Sequence, residues 1–162
     1  ISKIAEKMNT QFIIDSHCHL DFNNLFFDLE SILERAKTSG VKKMLTICTN
    51  FNELERVKKI CENHKEVVYA AGIHPNEPKE ALNFDQSKFS NICKNNNLVG
   101  VGETGLDFHY SENTKKQQIF SLIKHIEVAR DHDLPVIIHA RNADAKIKEI
   151  LTNEYKKGAF NC

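Results

Sequence analysis

The 162-residue sequence has no surplus of charge, no paired-cysteine motif, no glycine-rich phosphate loop and no long apolar run. Each absence excludes something. Lys plus Arg and Asp plus Glu stand at 22 each, so no global positive field is available to hold nucleic acid by bulk electrostatics. An enzyme that acts on nucleic acid stays open, because bound cations supply local positive charge at a phosphate. The five cysteines, Cys18, Cys48, Cys61, Cys93 and Cys162, are odd in number and form no C-x-x-C pair. That argues against a zinc knuckle or a disulfide framework and fits reduced thiols in the cytoplasm. No run approaches the ~20 apolar residues of a membrane helix, and Ile1 to Gln11 lacks the apolar segment of a signal peptide. The expectation is a cytoplasmic protein with no membrane and no stable protein partner. Residues 1–11, which include Met8, read as an N-terminal extension, and 12–162 as a single domain.

What is present is alternation. Short apolar, β-branched runs occur at Phe12–Asp15, Lys43–Cys48, Val67–Ile73, Leu98–Gly102 and Pro135–His139, and a sixth starts at Gly158-Ala159-Phe160. Continuous apolar character bounded by Gly, Pro or Asn is expected of parallel strands buried on both faces. Helical spacing lies between them. Leu29, Ile32, Leu33 and Ala36 form one stripe, ended by Gly40; Leu54, Val57 and Cys61 form a second. Phe84 to Asn97 is a weaker helix. Thr114 to His132 is the strongest, with Ile119, Leu122, Ile123 and Ile126 as its stripe and Asn113 as its cap; Ile147, Ile150 and Leu151 mark a fifth. Strand–helix alternation predicts an α/β fold with a parallel sheet. Polar residues at the ends of the first, third, fourth and fifth strands favour a (β/α)8 barrel over an open doubly wound sheet.

The chemistry-bearing residues sit at those strand ends. His17 and His19, in Asp15-Ser16-His17-Cys18-His19-Leu20-Asp21, share one face of an extended segment, and neutral imidazole suits first-row metals. Asp15 and Asp21 are candidate carboxylate partners for ligating histidines. Glu103, in Val101-Gly102-Glu103-Thr104-Gly105, is a carboxylate at the mouth of a buried strand, costly unless paired or bound to a cation. Asp107 reads as a loop or capping acid. His139 ends Pro135-Val136-Ile137-Ile138-His139, followed by Arg141, and His74 ends Gly72-Ile73-His74-Pro75. His64, His125 and His132 fall within helical patterns and read as surface residues, and Cys18 as a packing residue on the opposite face from its two neighbours.

These stretches, DSHCHLD at 15–21, GIHP at 72–75, VGETGLDFHY at 101–110, Lys116-Gln117-Gln118 and PVIIHAR at 135–141, occur in the order seen in the TatD family, which the chain resembles from about residue 12 to its end. The resemblance implies a (β/α)8 TIM-type barrel of the metal-dependent hydrolase group, incomplete here at about five and a half units. It implies two divalent cations (Mg, Mn or Zn) roughly 3.5–4 Å apart that activate water on a phosphodiester, with DNA as substrate. His17, His19, Glu103 and His139 match the family's metal ligands, Glu103 being the carboxylate shared by both ions and a catalytic group. His74 and Arg141 match substrate-binding positions. Asn161 stands where the family has a further histidine ligand, and the family's last aspartate ligand has no counterpart through residue 162.

Those departures carry an expectation of their own. The isolated chain would leave strand edges unpaired, be unstable and cleave DNA poorly. A metal-dependent amidohydrolase or deaminase is the competing enzyme reading, disfavoured because such enzymes commonly bridge their metals with a modified lysine where this chain has Glu103. A non-catalytic remnant of a nuclease is the competing non-enzyme reading.

Overall fold

Five of the apolar runs form five strands, all parallel and ordered β1-β2-β3-β4-β5 across one sheet. The computed structural model describes residues 12–110 and 112–162; the expected extension at 1–11 lies outside the described residues. The strands are β1 (Ile13–Cys18), β2 (Val41–Cys48), β3 (Val67–Ala71), β4 (Leu98–Asp107) and β5 (Val136–Arg141). The helices are α1 (Asn23–Phe26), α2 (Leu29–Thr38), α3 (Leu54–Asn63), α4 (Pro78–Leu82), α5 (Gln86–Ile92), α6 (Lys115–Asp131) and α7 (Asp144–Lys157). Sequential neighbours in a parallel sheet, each reached through a helical crossover, are the sheet order of a (β/α)8 barrel and not of a doubly wound sheet, whose order reverses.

Strand propensity and helix amphipathicity meet in one core. Met44, Tyr69, Ala71 and Val101 from the sheet pack with Leu33, Val57, Ile60, Phe89, Leu122, Ile126 and Ile147 from the helices, all buried. Fully burying each such aliphatic side chain stabilises by roughly 1.5–3 kcal/mol. Gly40 closes the α2–β2 turn at φ +90°, a conformation that glycine adopts without penalty.

Several expectations need correction. β4 runs five residues further than its apolar run, so Glu103 lies within the strand. β3 stops at Ala71, which leaves His74 beyond its end. The weak helix at 84–97 is the shorter α5, which starts where the Asp85 carboxylate accepts from the Lys88 N–H at 3.0 Å, and α4 precedes it outside the expected span. Thr114 rather than Asn113 precedes α6. The sixth run forms no strand among the described residues; where it meets β5, the Asn161 carbonyl accepts from the Val136 N–H at 2.9 Å. β1 is not buried on both faces: Phe12, Ile13 and Ile14 are exposed, because β1 has a strand neighbour on one side alone among the described residues.

The phase of α6 also differs from the expected stripe. Its buried face reads Gln118, Ser121, Leu122, His125, Ile126 and Ala129, whereas Ile119 and Ile123 are only half-buried. Three polar side chains, Gln118, Ser121 and His125, occupy the core side of the helix, and Gln118 and His125 each hold a backbone amide there.

Candidate metal centre

The C-terminal ends of β1, β4 and β5 bring four expected residues together. His17 Nε2 lies 3.3 Å from Glu103 Oε2, and His139 Nδ1 lies 3.0 Å from Glu103 Oε1. Glu103 thus turns one carboxylate oxygen to each side. One donor atom each from His17, His19 and Glu103 falls within a 4.8 Å cluster, as does one each from His74, Glu103 and His139.

Backbone close to Glu103 requires glycine. Gly102 and Gly105 take φ values of +140° and +151°, outside the range of ordinary side chains. A Cβ at Gly102 would collide with the Ile137 carbonyl oxygen, and one at Gly105 with the His139 carbonyl oxygen. β4 and β5 approach this tightly with Gly105 opposite His139 in the register, and that brings Glu103 and His139 within hydrogen-bond distance.

The histidine tautomers follow from their partners. His19 Nδ1 faces the Ile47 carbonyl at 3.1 Å, so Nδ1 donates and the Nε2 lone pair is free. His139 lies between two carboxylates, with Nε2 3.2 Å from Asp107 Oδ2 and Nδ1 3.0 Å from Glu103 Oε1; a cation at Nδ1 would leave the ring proton on Nε2 for Asp107. This is the outer-partner arrangement common to metal-ligating histidines. His74 differs. Its Nδ1 accepts from the Asn76 N–H at 3.2 Å, so in the neutral ring Nε2 carries the proton, 3.2 Å from His139 Nδ1. Burial, and then the nearby His139 ring, lower the His74 pKa and keep it neutral.

This donor set fits a cation. Imidazole nitrogens on both sides of one largely buried carboxylate make an N/O donor set suited to a first-row divalent ion. Donor atoms about 2.1 Å from one small cation stand about 3.0–3.4 Å from each other, which matches the 3.0 and 3.3 Å separations around Glu103.

Asp107 does more than cap a loop. Its Oδ1 accepts from the His109 and Tyr110 N–H groups at 3.1 and 3.2 Å, and its Oδ2 takes the His139 ring. Burial works to raise its pKa, but the Tyr110 N–H, the His139 ring and the His109 N–H outweigh it and hold the carboxyl below its ordinary value. Gln118 of α6 brackets the same residue: its Oε1 accepts from the Asp107 N–H at 2.8 Å and its Nε2 donates to the Asp107 carbonyl at 3.1 Å. Sequence reasoning missed this clamp. The available signal was an Asp two and three residues before the loop positions whose N–H groups it binds, an Asx turn.

The remaining expected residues are placed as follows. Arg141 is exposed, with its guanidinium 4.5 Å from the Tyr110 ring centroid, and it does not pair with Glu103 among the described residues. Asp15 accepts from the His17 backbone N–H at 3.1 Å, and Asp21 is buried with its pKa raised by that burial; neither carboxylate hydrogen-bonds a histidine ring among the described residues. Asn161 meets the start of β5, at the opposite end of that strand from His139. Cys18 is half-buried, and burial, with Asp15 and Asp21 nearby, pushes its thiol up to about 12, so it is inert. His125 corrects its expected surface position outright: it is wholly buried.

A parallel β/α sheet with a His–Glu–His constellation at the C-terminal strand ends defines the class of barrel metal-hydrolase folds. The comparisons with known proteins are more specific. The family profile described as TatD related DNase matches residues 14–162. The chain is 36% identical over 152 residues to the uncharacterized metal-dependent hydrolase BU355 of Buchnera aphidicola from Acyrthosiphon pisum, covering 88% of this chain and 58% of that protein. It is 28% identical over 125 residues to the 3'-5' ssDNA/RNA exonuclease TatD of Pantoea ananatis, covering 76% and 48%. The crystal structure of YjjV, a TatD homolog from Escherichia coli K12, superposes with a TM-score of 0.82 at 30% identity, over 88% of this chain and 56% of that one. The chain belongs to the TatD related DNase family. It spans about half the length of the curated relatives it matches.

Proposed function

We propose that the protein carrying this sequence is a metal-dependent phosphodiesterase acting on DNA, with Glu103 shared between two divalent cations. The observation that supports this best is the division of the Glu103 carboxylate, Oε2 toward His17 and Oε1 toward His139. His17 and His19 would hold one cation and His139 the other, with Mg, Mn or Zn as candidates for oxygen and imidazole donors. Two such ions supply a nucleophile at neutral pH and neutralise charge on a phosphate.

The chain's own residues do the rest. The Ile47 carbonyl and the Asp107 carboxylate hold the His19 and His139 rings in single orientations. His74, neutral and with its proton on Nε2, is a donor and not a ligand, which suits it to a phosphate or sugar oxygen. A cavity of about 190 Å³ lined by His19, Phe22, Thr49, His74, Glu77 and Glu103 adjoins the cluster. Arg141 places its charge at the edge, spread over Tyr110. The free cysteines, three of them buried, suit the reducing cytoplasm; no helix among the described residues is long and apolar enough to cross a membrane. The relative named as an ssDNA/RNA exonuclease supports a single-stranded substrate.

The test is manganese titration by calorimetry combined with cleavage of an end-labelled single-stranded oligodeoxynucleotide. In the protein that carries this sequence, two manganese sites and cleavage that disappears in Glu103→Gln are expected; the isolated chain is expected to cleave poorly. No bound metal, or hydrolysis of a cyclic amide in place of the oligonucleotide, overturns the proposal.

A further inference from the structure

His125 lies on α6, on a different element from any group placed at the cluster, yet its ring is wholly buried and both its nitrogens are committed. The Ile73 backbone N–H donates to His125 Nε2 at 2.9 Å, and His125 Nδ1 donates to the Ser121 carbonyl one turn back at 2.7 Å. Because an N–H can only donate, the tautomer is assigned: Nδ1 carries the proton. The rings of Phe84 and Phe89 pack against it at 5.2 and 5.1 Å, and no water is needed to satisfy it.

Ile73 immediately precedes His74. The chain has left β3 at Ala71, so residues 72–74 are held by individual bonds. Gly72 N–H donates to the Cys48 carbonyl at 3.1 Å and His74 N–H to the Thr49 carbonyl at 3.0 Å, both toward β2. The intervening Ile73 N–H points the other way, where the ladder with β4 does not accept it. His125 accepts it instead. Without that acceptor a buried N–H would be left unsatisfied, and backbone avoids this by moving.

We infer that His125 is a positioning residue for His74: from α6 it pins the Ile73 amide and so fixes where the His74 Nε2 proton is presented. The inference rests on the reading of His74 as a donor to substrate. An apolar side chain in this place would leave the buried Ile73 amide without its acceptor, which packing alone does not supply. Gln118, two turns earlier on the same helix face, does the equivalent for Asp107.

The test uses two variants. His125→Leu fills the site but accepts nothing. His125→Gln can accept from Ile73 and donate to Ser121. In wild type, ¹⁵N spectroscopy of the imidazoles is expected to show His125 protonated on Nδ1 and bare on Nε2, with the Ile73 amide protected from exchange; the opposite tautomer or a freely exchanging Ile73 amide overturns the inference. For oligonucleotide cleavage, His125→Leu is expected to lose about tenfold to a hundredfold in kcat, the scale of a misplaced catalytic contact, with KM little changed, and His125→Gln is expected to recover most of it. A folded His125→Leu with wild-type kcat, or a folded His125→Gln as impaired as His125→Leu, overturns it. If no variant and no wild type cleaves a phosphodiester, the hydrolase reading fails, and the His74 ring resonances decide the positioning claim separately. They must shift in His125→Leu and return in His125→Gln; a shift in neither overturns it.

Discussion

His139 Nε2 lies 3.2 Å from one oxygen of the Asp107 carboxylate, and the other oxygen of that carboxylate is taken by two loop amides. The imidazole therefore cannot turn without breaking a clamp made by β4 on β5. Asp107→Asn keeps the shape but can present its amide N–H where an acceptor is needed. The expected result is a loss of about 10–100-fold in divalent-metal affinity, the usual cost of an outer partner. Calorimetric titration with manganese checks it, and unchanged affinity would show that His139 orients itself.

The proposed metal site would couple cation binding to folding. A cation that binds only the folded chain stabilises it by about 2.7 kcal/mol at a hundred times its Kd, which for this chain length raises Tm by roughly 5–11 °C. The rise should vanish in Glu103→Gln, because that variant leaves both clusters without their shared carboxylate. Scanning calorimetry with and without manganese decides it. Equal rises in wild type and variant would place the metal elsewhere.

Gly105→Ala combines a left-handed φ with a collision against the His139 carbonyl oxygen. Strain of that kind costs about 1–3 kcal/mol before any displacement of β5. The expected outcome is a lower Tm together with weaker metal binding, since the strand that must move carries His139. A Gly105→Ala protein with wild-type Tm would contradict the tight β4–β5 approach. Gly40→Ala serves as a control: its φ is also positive, but its Cβ meets nothing within 4 Å.

His125 makes stability depend on pH. Burial, partly offset by the Ser121 carbonyl, depresses its pKa to about 4; the unfolded chain protonates it near the ordinary value of about 6.5. Between those values the unfolded state binds the extra proton, so stability falls as pH drops through the window and is level above it. The groups against the ring are Phe84, Phe89, the Ser121 carbonyl and the Ile73 amide, and none of these titrates. The loss is on the order of 3 kcal/mol. Denaturant melts from pH 7.5 to pH 4 should show it in wild type, and His125→Gln should remove that portion.

The parallel β/α architecture was legible along the chain. Apolar runs near residues 13, 44, 67, 98 and 136 and the stripes between them report local backbone preference and amphipathic phase, and both are properties of neighbouring residues. His17, His19, Glu103 and His139 could be singled out for the same reason: strand ends in a barrel converge, so position within a run already suggests proximity. Boundaries were less legible. Glu103 and Asp107 were expected beyond a strand, yet β4 includes both, because pairing with β5 through Gly102 and Gly105 carries the strand past its apolar residues.

The roles of His125 and Gln118 were not legible, and that of Asp107 only in its hold on the following loop. A polar residue on a helix reads as exposed when judged by its neighbours, and His125 stands between Lys124 and Ile126. Its burial depends on the phase of α6 against a sheet whose nearest acceptor-seeking amide, Ile73, is 52 residues away. The expected sixth run makes one backbone bond to β5, from the Val136 N–H to the Asn161 carbonyl, and is not a strand among the described residues. Elements and candidate ligands follow from near-neighbour chemistry in the sequence. Which ring nitrogen carries a proton, which carboxylate oxygen faces which histidine and which buried amide finds its acceptor depend on contacts that exist only after distant segments pack.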